Sequence, residues 1–173
     1  MSNPIVLISG VPATGKSSFG SWLQDNRGFV HVDIESEARG FKPLGLLELD
    51  ALWQGIAHLP PPPVDPFVDA LRGLEAPVVL DWGFDPRFLP LVERLHVAGI
   101  SAWWFDGDRA AARRRFIARN TVSVDALDIQ MPKIVAAWNA MIDFYGDRII
   151  RTLRADGSFV DWDMVAEDMF PDQ

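Results

Sequence analysis

A glycine-rich segment near the beginning of the chain has the residue types that hold a polyphosphate. Residues 10–17 have the spacing G-x-x-x-x-G-K-S, which is the Walker A or P-loop motif. In such a loop the backbone N–H groups converge on phosphate oxygens, the lysine reaches the β- and γ-phosphates, and the serine hydroxyl can ligate Mg²⁺. The motif therefore predicts a nucleotide site that uses ATP and Mg²⁺. The predicted nucleotide-binding residues of this segment are Gly10, Ala13, Thr14, Gly15, Lys16, Ser17 and Ser18.

Two aspartates that follow apolar runs could complete a phosphoryl-transfer site. Such a site needs a phosphate cradle, a metal, cations around the moving group and a residue that orients the nucleophile. We expect Asp81 to hold Mg²⁺ together with Ser17, although it could instead be a structural or helix-capping carboxylate. Asp33 could accept a proton from a substrate hydroxyl or orient that hydroxyl, and the alternative is a solvated carboxylate at the end of a strand.

Four arginines lie close together between residues 113 and 119. On a helix Arg115 and Arg119 share a face, because they are spaced as i and i+4. Two guanidinium groups on one face favour binding of an anion, so one could stack on adenine and the other could supply charge to the transition state. The alternative is a solvated basic face. The predicted catalytic residues are Lys16, Asp33 and Arg119.

Residues 36–76 and 82–90 are expected to shape the pocket for the molecule that receives the phosphoryl group. Glu35 and Arg39 are expected on the next helix, where they could face a polar substrate, and the alternative for Arg39 is a solvated side chain. The predicted substrate contacts are Asp33, Arg39, Phe84 and Arg87. Residues 36–76 contain a four-proline run and two helical patterns, and they are predicted to form an insertion that covers the substrate. The alternative is that this segment only packs against the sheet.

The rest of the chain has the elements that would position these side chains. Short apolar runs at residues 5–10, 29–33, 77–81, 100–105 and 148–153 predict strands that alternate with helices. This pattern predicts a three-layer α/β fold with a five-stranded parallel sheet and helices on both faces. Residues 1–173 are predicted to form a single domain, residues 109–133 a small lid, and residues 121–130 a weakly patterned mobile segment inside that lid. A further helical pattern is predicted to begin at Pro132 and to end before Gly146, and a final short helix is predicted near residues 161–170.

Composition excludes several classes of protein. The net charge of −8 disfavours a protein whose main task is to hold nucleic acid. The absence of cysteine excludes disulfides and thiolate zinc sites. No apolar run approaches the roughly twenty residues that span a bilayer, and no signal peptide is evident, so we expect a cytoplasmic protein without a membrane partner.

The sequence resembles the small P-loop kinases of the shikimate kinase, gluconate kinase and chloramphenicol phosphotransferase type. Four segments carry the resemblance: residues 10–17, the strand-end Asp33, residues 79–84 and residues 115–120. The sequence departs from the shikimate kinase pattern in three places. His31 stands at the first position of an acidic pair, Asp81-Trp82-Gly83 replaces a glycine-rich segment, and the Arg-Pro lid signature is missing. These departures disfavour shikimate as the substrate.

The resemblance implies ATP with Mg²⁺, a mobile lid and phosphorylation of a hydroxyl on a small molecule. It implies lid arginines at Arg115 and Arg119, and an adenine-contacting loop at residues 154–157, which includes Asp156. We therefore expect an ATP-dependent phosphotransferase with a nucleoside triphosphate and a small acceptor as its partners. Two alternatives remain: a toxin-like kinase of polynucleotide 5′-hydroxyl ends or nucleotide sugars, and a non-catalytic ATP-binding sensor module.

Overall fold

The computed structural model describes residues 3–119 and 124–171, except the side chain of Val124. Strands and helices alternate along most of these residues, as the sequence pattern predicts. The strands are β1 Ile5–Gly10, β2 Val30–Asp33, β3 Val78–Asp81, β4 Ser101–Gly107 and β5 Ile149–Leu153. The helices are α1 Lys16–Arg27, α2 Leu47–Ile56, α3 Asp65–Arg72, α4 Leu89–Val97, α5 Arg109–Arg119, α6 Val124–Ala136, α7 Trp138–Tyr145 and α8 Trp162–Met169. Short 3₁₀ turns precede α4 at Pro86–Phe88 and β5 at Gly146–Arg148.

The five strands form one parallel sheet in the order β2-β3-β1-β4-β5. Every neighbouring pair is parallel, so the carboxyl ends of all five strands lie at one edge. Asp33 and Asp81 are register partners on β2 and β3, and Gly10 is the partner of Phe105 on β4. The register therefore brings the P-loop and both strand-end aspartates to the same edge, where ligands of such sheets bind.

Each face of the sheet has its own apolar core. Alternate side chains of β1 point to opposite faces: Ile5 and Leu7 belong to one cluster, and Val6 and Ile8 to the other. The first cluster includes residues of α2, α3, α4 and α7, and the second is closed by α1 and α8. Because β1 is buried along its whole length, the loop that follows it begins from a fixed position.

The segment of residues 36–76 packs against the sheet. An aromatic group formed by Phe41, Trp53 and Phe67 joins its two helices, with ring centroids 5.5–6.5 Å apart. Trp53 also meets the ring of Trp82, beyond β3, edge-on at 4.8 Å. The three side chains of this aromatic group are no more than 4% exposed. This packing favours the alternative in which the segment completes the core.

The region beyond α5 is more helical than the sequence pattern predicts. Residues 121–130 were expected to lack regular structure, but helix α6 begins at Val124 and continues past Pro132. Residues 121–123 and Asn120 of the 115–120 segment lie outside the described residues. The helix expected to begin at Pro132 is divided into α6 and α7, with Ile134 and Met141 buried in the same core cluster. Among the described residues, no helix has both the length and the apolar character needed to span a membrane.

Candidate active site

The P-loop backbone is fixed by contacts with β4 and β5. A side chain at Gly10 would place its Cβ 2.3 Å from the Phe105 carbonyl oxygen, so only glycine fits beside β4. Gly15 has φ of 97°, a left-handed conformation that favours glycine. The Thr14 hydroxyl donates to the Val11 carbonyl at 2.7 Å, and the Thr152 hydroxyl donates to the Thr14 carbonyl at 2.7 Å. The loop is therefore held in shape by its own residues and the sheet.

A cleft of about 350 Å³ opens between the P-loop and helices α5 and α6. From β1, the P-loop and α1 come Gly10, Pro12, Ala13, Lys16 and Ser17. From the ends of β2 and β3 and the turns after them come Asp33, Glu35, Ser36, Asp81 and Gly83. From α5 and α6 come Phe116, Arg119, Ala126 and Gln130. The predicted catalytic residues Lys16, Asp33 and Arg119 thus line one cleft.

Asp81 and Ser17 form a pair of oxygen donors at the base of this cleft. The Ser17 hydroxyl donates to the Asp81 carboxylate at 2.5 Å, and Asp81 is 3% exposed. Burial works against ionisation of Asp81, but the His31 ring, the Lys16 ammonium and the Ser17 hydroxyl outweigh it, so the pKa of this carboxyl lies below its ordinary value. An ionised carboxylate and a hydroxyl suit Mg²⁺, which takes few protein ligands and uses substrate phosphates for the rest. No cluster of three or more His, Cys, Asp or Glu residues able to hold a metal occurs within residues 3–119 and 124–171.

His31 lies on β2 and is buried beside Asp81, which ends β3. Its Nε2 lies 3.9 Å from Asp81 Oδ2, which is too long for a hydrogen bond, so the interaction is electrostatic. A Cβ at Gly20 of α1 would lie 2.4 Å from the same nitrogen, so the imidazole fills the space that a side chain at position 20 would occupy. The sequence analysis gave His31 no role beyond its departure from the acidic pair. The structure places the His31 ring beside Asp81, which forms the pair of oxygen donors with Ser17.

The carboxylates of Asp33 and Glu35 line the same cleft in a different electrostatic environment. Burial and the neighbouring charge of Asp81 raise the pKa of Asp33, although the Arg39 guanidinium at 3.4 Å opposes this. Burial, Asp81 and Asp33 also raise the pKa of Glu35, against the lowering effect of Lys16. Part of the Glu35 side chain is open to solvent, but its carboxyl lies among the other acids of the cleft. This wall of the cleft therefore has more negative charge than its cations balance.

The two predicted lid arginines occupy different positions. Arg119 lines the cleft, whereas Arg115 stacks its guanidinium carbon 4.2 Å from the Phe159 ring centroid and donates to the Gly157 carbonyl at 3.0 Å. Arg115 thus joins α5 to the loop after β5, which is the loop that the family resemblance assigns to adenine. Asp156 of that loop faces its own turn, where its carboxylate accepts from the N–H and hydroxyl of Ser158 at 2.8 and 2.7 Å.

Three of the four predicted substrate contacts, Phe84, Arg87 and Arg39, lie outside the cleft lining. Phe84 is 2% exposed and packs against the rings of Trp82 and Trp104, so the expectation that it contacts substrate is wrong. Arg87 lies over the ring of Phe88 and 3.9 Å from Asp85, with its side chain 69% exposed.

Arg39 reaches the cleft only through its ion pair with Asp33. It was expected on a helix but lies in the turns that precede α2. Of the P-loop residues, Thr14, Gly15 and Ser18 are not among the lining residues, and of residues 36–76 only Ser36 is.

The predicted site residues include neither Glu35, which the sequence indicated only as a side chain that could face a polar substrate, nor Gln130, although both line the cleft. Gln130 donates from Nε2 to the Gly83 carbonyl at 3.3 Å and so joins α6 to the turn after β3. Nearby, the Lys133 ammonium and the Asp85 carboxylate lie 2.6 Å apart. The sequence signal for Glu35 is its position two residues after the strand-end Asp33. Gln130 gave no such signal, because it lies in a segment with weak patterning.

The fold and the P-loop define the class of protein: this chain has the fold of the small P-loop kinases. It matches a gluconokinase from Sinorhizobium meliloti 1021 with a TM-score of 0.52 and 12% identity, over 97% of this chain and 90% of that one. A shikimate kinase from Bacteroides thetaiotaomicron matches with a TM-score of 0.50 and 14% identity, over 96% and 94%. The protein TT1252 from Thermus thermophilus matches with a TM-score of 0.54 and 17% identity, over 98% and 97%. No protein-family model and no curated protein sequence matches the chain. The resemblance inferred from the sequence is therefore confirmed at the level of the fold.

Proposed function

We propose that the protein is an ATP-dependent phosphotransferase that moves the γ-phosphoryl group to a hydroxyl of a small molecule. The observation that carries this proposal is the convergence of Lys16, Asp33 and Arg119 on one cleft beside the Ser17–Asp81 pair. Two structural neighbours, the gluconokinase and the shikimate kinase, support the same proposal. Phosphoryl transfer is mainly positioning and charge stabilisation, and these side chains offer both.

Each residue of the cleft has a defined part in the proposed reaction. The P-loop amides and Lys16 bind the β- and γ-phosphates, and Arg119 lies where it can offset charge on the transferred group. Asp33 orients the acceptor hydroxyl and takes its proton. The acceptor oxygen forms a bond to the γ-phosphorus, the bond to the β–γ bridging oxygen breaks, and its electron pair leaves with ADP. Ser17 and Asp81 would hold Mg²⁺, which supplies further neutralisation of phosphate charge.

Residues 109–133 are proposed as the lid of this site, because α5 and α6 form one of its walls. The adenine is proposed to bind near Arg115 and the loop of residues 154–157. A lid that closes over both substrates would exclude water from the reaction and so limit hydrolysis of ATP.

The proposal is tested by measuring phosphoryl transfer from labelled ATP to a panel of hydroxyl compounds, with wild type and the Asp33→Asn variant. The variant should lose about 10²- to 10⁴-fold in kcat, the usual contribution of a positioned general base. Asp25→Asn, an exposed change on α1, is the matched control and should retain full activity.

Different outcomes separate the alternatives. Equal turnover by wild type and Asp33→Asn would remove Asp33 from its role. Tight nucleotide binding without transfer to any acceptor would favour a sensor module. Phosphorylation of 5′-hydroxyl oligonucleotides at low salt, and of no small molecule, would favour the polynucleotide alternative.

A further inference from the structure

The basic and the acidic side chains that line the cleft come from different parts of the fold. The two basic side chains that line it, Lys16 and Arg119, come from the P-loop side and from α5. All three acidic side chains, Asp33, Glu35 and Asp81, come from the ends of β2 and β3 and the turn after β2. The phosphates of a nucleotide would engage the basic side chains. The acceptor would therefore contact the wall formed by the three acidic side chains.

Bound substrates would leave one carboxylate of this wall without a cation to balance its charge. In the proposed reaction Asp81 holds the metal with Ser17, and Asp33 holds the acceptor hydroxyl. Arg39, the cation nearest to Asp33, already lies 3.4 Å from it and extends to Ser21 on α1. Glu35 is exposed and accepts a hydrogen bond from the Gly83 N–H, and among the described residues Lys16 is the cation that most favours its ionised form. Once Lys16 engages the phosphates, the charge of Glu35 is left unbalanced, which favours a cationic ligand.

The turn after β3 leaves room for this carboxylate at the cleft wall. Gly83 has no side chain, and a Cβ at that position would lie 3.1 Å from Glu35 Oε2, closer than most real contacts. The Gly83 carbonyl accepts from Gln130 of α6, so the backbone that faces Glu35 is itself held in place. Burial and the nearby carboxylates raise the pKa of Glu35, as expected where negative charge exceeds its balance.

We propose that the acceptor carries an amino group whose cation binds Glu35, so that the substrate class is a small amino alcohol or amino sugar. This inference rests on the phosphotransferase function proposed above. Asp33 positions the hydroxyl and Glu35 the ammonium. The same wall disfavours acceptors with a carboxylate, because a like charge beside Asp33 and Glu35 is repelled.

The test uses matched compounds that differ only in charge. Two series serve: glucosamine, glucose and glucuronate, and ethanolamine, ethylene glycol and glycolate. Formation of phosphorylated product is measured with each compound at saturating ATP and Mg²⁺. The amine of at least one series should exceed its neutral partner in kcat/KM by about tenfold or more, and the carboxylate should be the poorest acceptor.

Two variants locate the effect at Glu35. Glu35→Gln should raise the KM for the amine about 10- to 100-fold more than the KM for its neutral partner, the range expected for loss of a charge-assisted contact. Glu37→Gln removes an exposed carboxylate that does not line the cleft and should change neither value. The KM for ATP, measured in both variants, separates loss of the amine contact from an effect on Lys16, which interacts with Glu35.

The outcomes distinguish this inference from the proposed function. Efficient phosphorylation of neutral or anionic compounds without preference for the amine would overturn the inference and leave the phosphotransferase in place. An amine preference that survives Glu35→Gln would also overturn it. If no compound of either series gives product while ATP binds, both the inference and the proposed function fail for these acceptors.

Discussion

At the scale of single residues, two aspartates with the same place in the fold have opposite electrostatics. Asp33 and Asp81 are register partners at the carboxyl ends of neighbouring strands. Asp81 receives a hydrogen bond from Ser17 and lies beside the His31 ring and the Lys16 ammonium, and these groups hold its pKa low against the effect of burial. Burial and the charge of Asp81 raise the pKa of Asp33, and the Arg39 guanidinium only partly offsets them. Carboxylates whose pKa values move apart often have different roles, and the roles proposed above are a metal ligand for Asp81 and a proton acceptor for Asp33.

The raised pKa of Asp33 predicts that this carboxylate lowers the stability of the folded protein. Folding disfavours its ionised form, so this penalty is absent below the ordinary value of 3.8 and develops as the pH rises through the folded pKa. Asp33→Asn should therefore raise the Tm at pH 7, by about 1–3 °C for a gain on the order of 1 kcal/mol or less. The gain should shrink as the pH falls toward 3.8.

Thermal unfolding of wild type, Asp33→Asn and the exposed control Asp25→Asn over a range of pH measures this effect. A Tm for Asp33→Asn below that of wild type at pH 7 would show that the Arg39 ion pair outweighs the burial and repulsion of this carboxylate.

At the scale of elements, the cleft is formed between a rigid edge and a helical wall. The P-loop and the strand ends belong to the sheet, whereas α5 and α6 reach across to it. Two contacts join α6 to the turn after β3: Gln130 with the Gly83 carbonyl and Lys133 with Asp85. The Gln130 contact is partly buried and the Lys133–Asp85 ion pair lies at the surface. Contacts in such positions contribute little to stability. The contacts between α6 and this turn can therefore break at little cost, whereas Ala111 and Ala112 of α5 and Ile134 of α6 keep both helices packed on the core.

Nucleotide binding should order this wall. We expect hydrogen exchange at residues 124–136 to slow when a non-hydrolysable ATP analogue and Mg²⁺ are added, because the phosphates engage Arg119 and draw α5 and α6 toward the P-loop. Helix α4, which lies outside the cleft, is the internal control and should show no change. Lys133→Ala should speed exchange in α6 without ligand and leave the Tm within about 1–2 °C of wild type. Unchanged protection of residues 124–136 on adding the analogue would argue for a fixed wall.

At the scale of the whole molecule, the sheet and the position of the P-loop could be predicted well from the sequence. The five strands begin and end within about two residues of their expected positions, because buried parallel strands are short continuous apolar runs between clear turns. The strand–loop–helix context expected of the P-loop motif is present, with β1 before the loop and α1 beginning at Lys16, because the motif reflects local backbone geometry.

The acceptor side was predicted less well, because it depends on which side of a turn each residue faces. Phe84 and Asp81 are three positions apart, yet Phe84 enters the core and Asp81 the cleft. Glu35 lies in a turn with no periodicity from which its direction could be derived. Helix α6 was missed because its weak pattern and internal Pro132 disfavour a helix, and packing of Ile134 and Leu127 overrides that preference.

The most direct test of this account is calorimetric titration of the folded protein with ATP and Mg²⁺. We predict saturable heat for wild type and an affinity at least about tenfold weaker for Lys16→Ala, which loses the charge on the β- and γ-phosphates. Lys42→Ala, an exposed lysine with a side chain 71% accessible to solvent, should bind as wild type does. Absence of heat with ATP, GTP and their diphosphates, on wild-type protein shown to be folded, would contradict the nucleotide site and every proposal that depends on it.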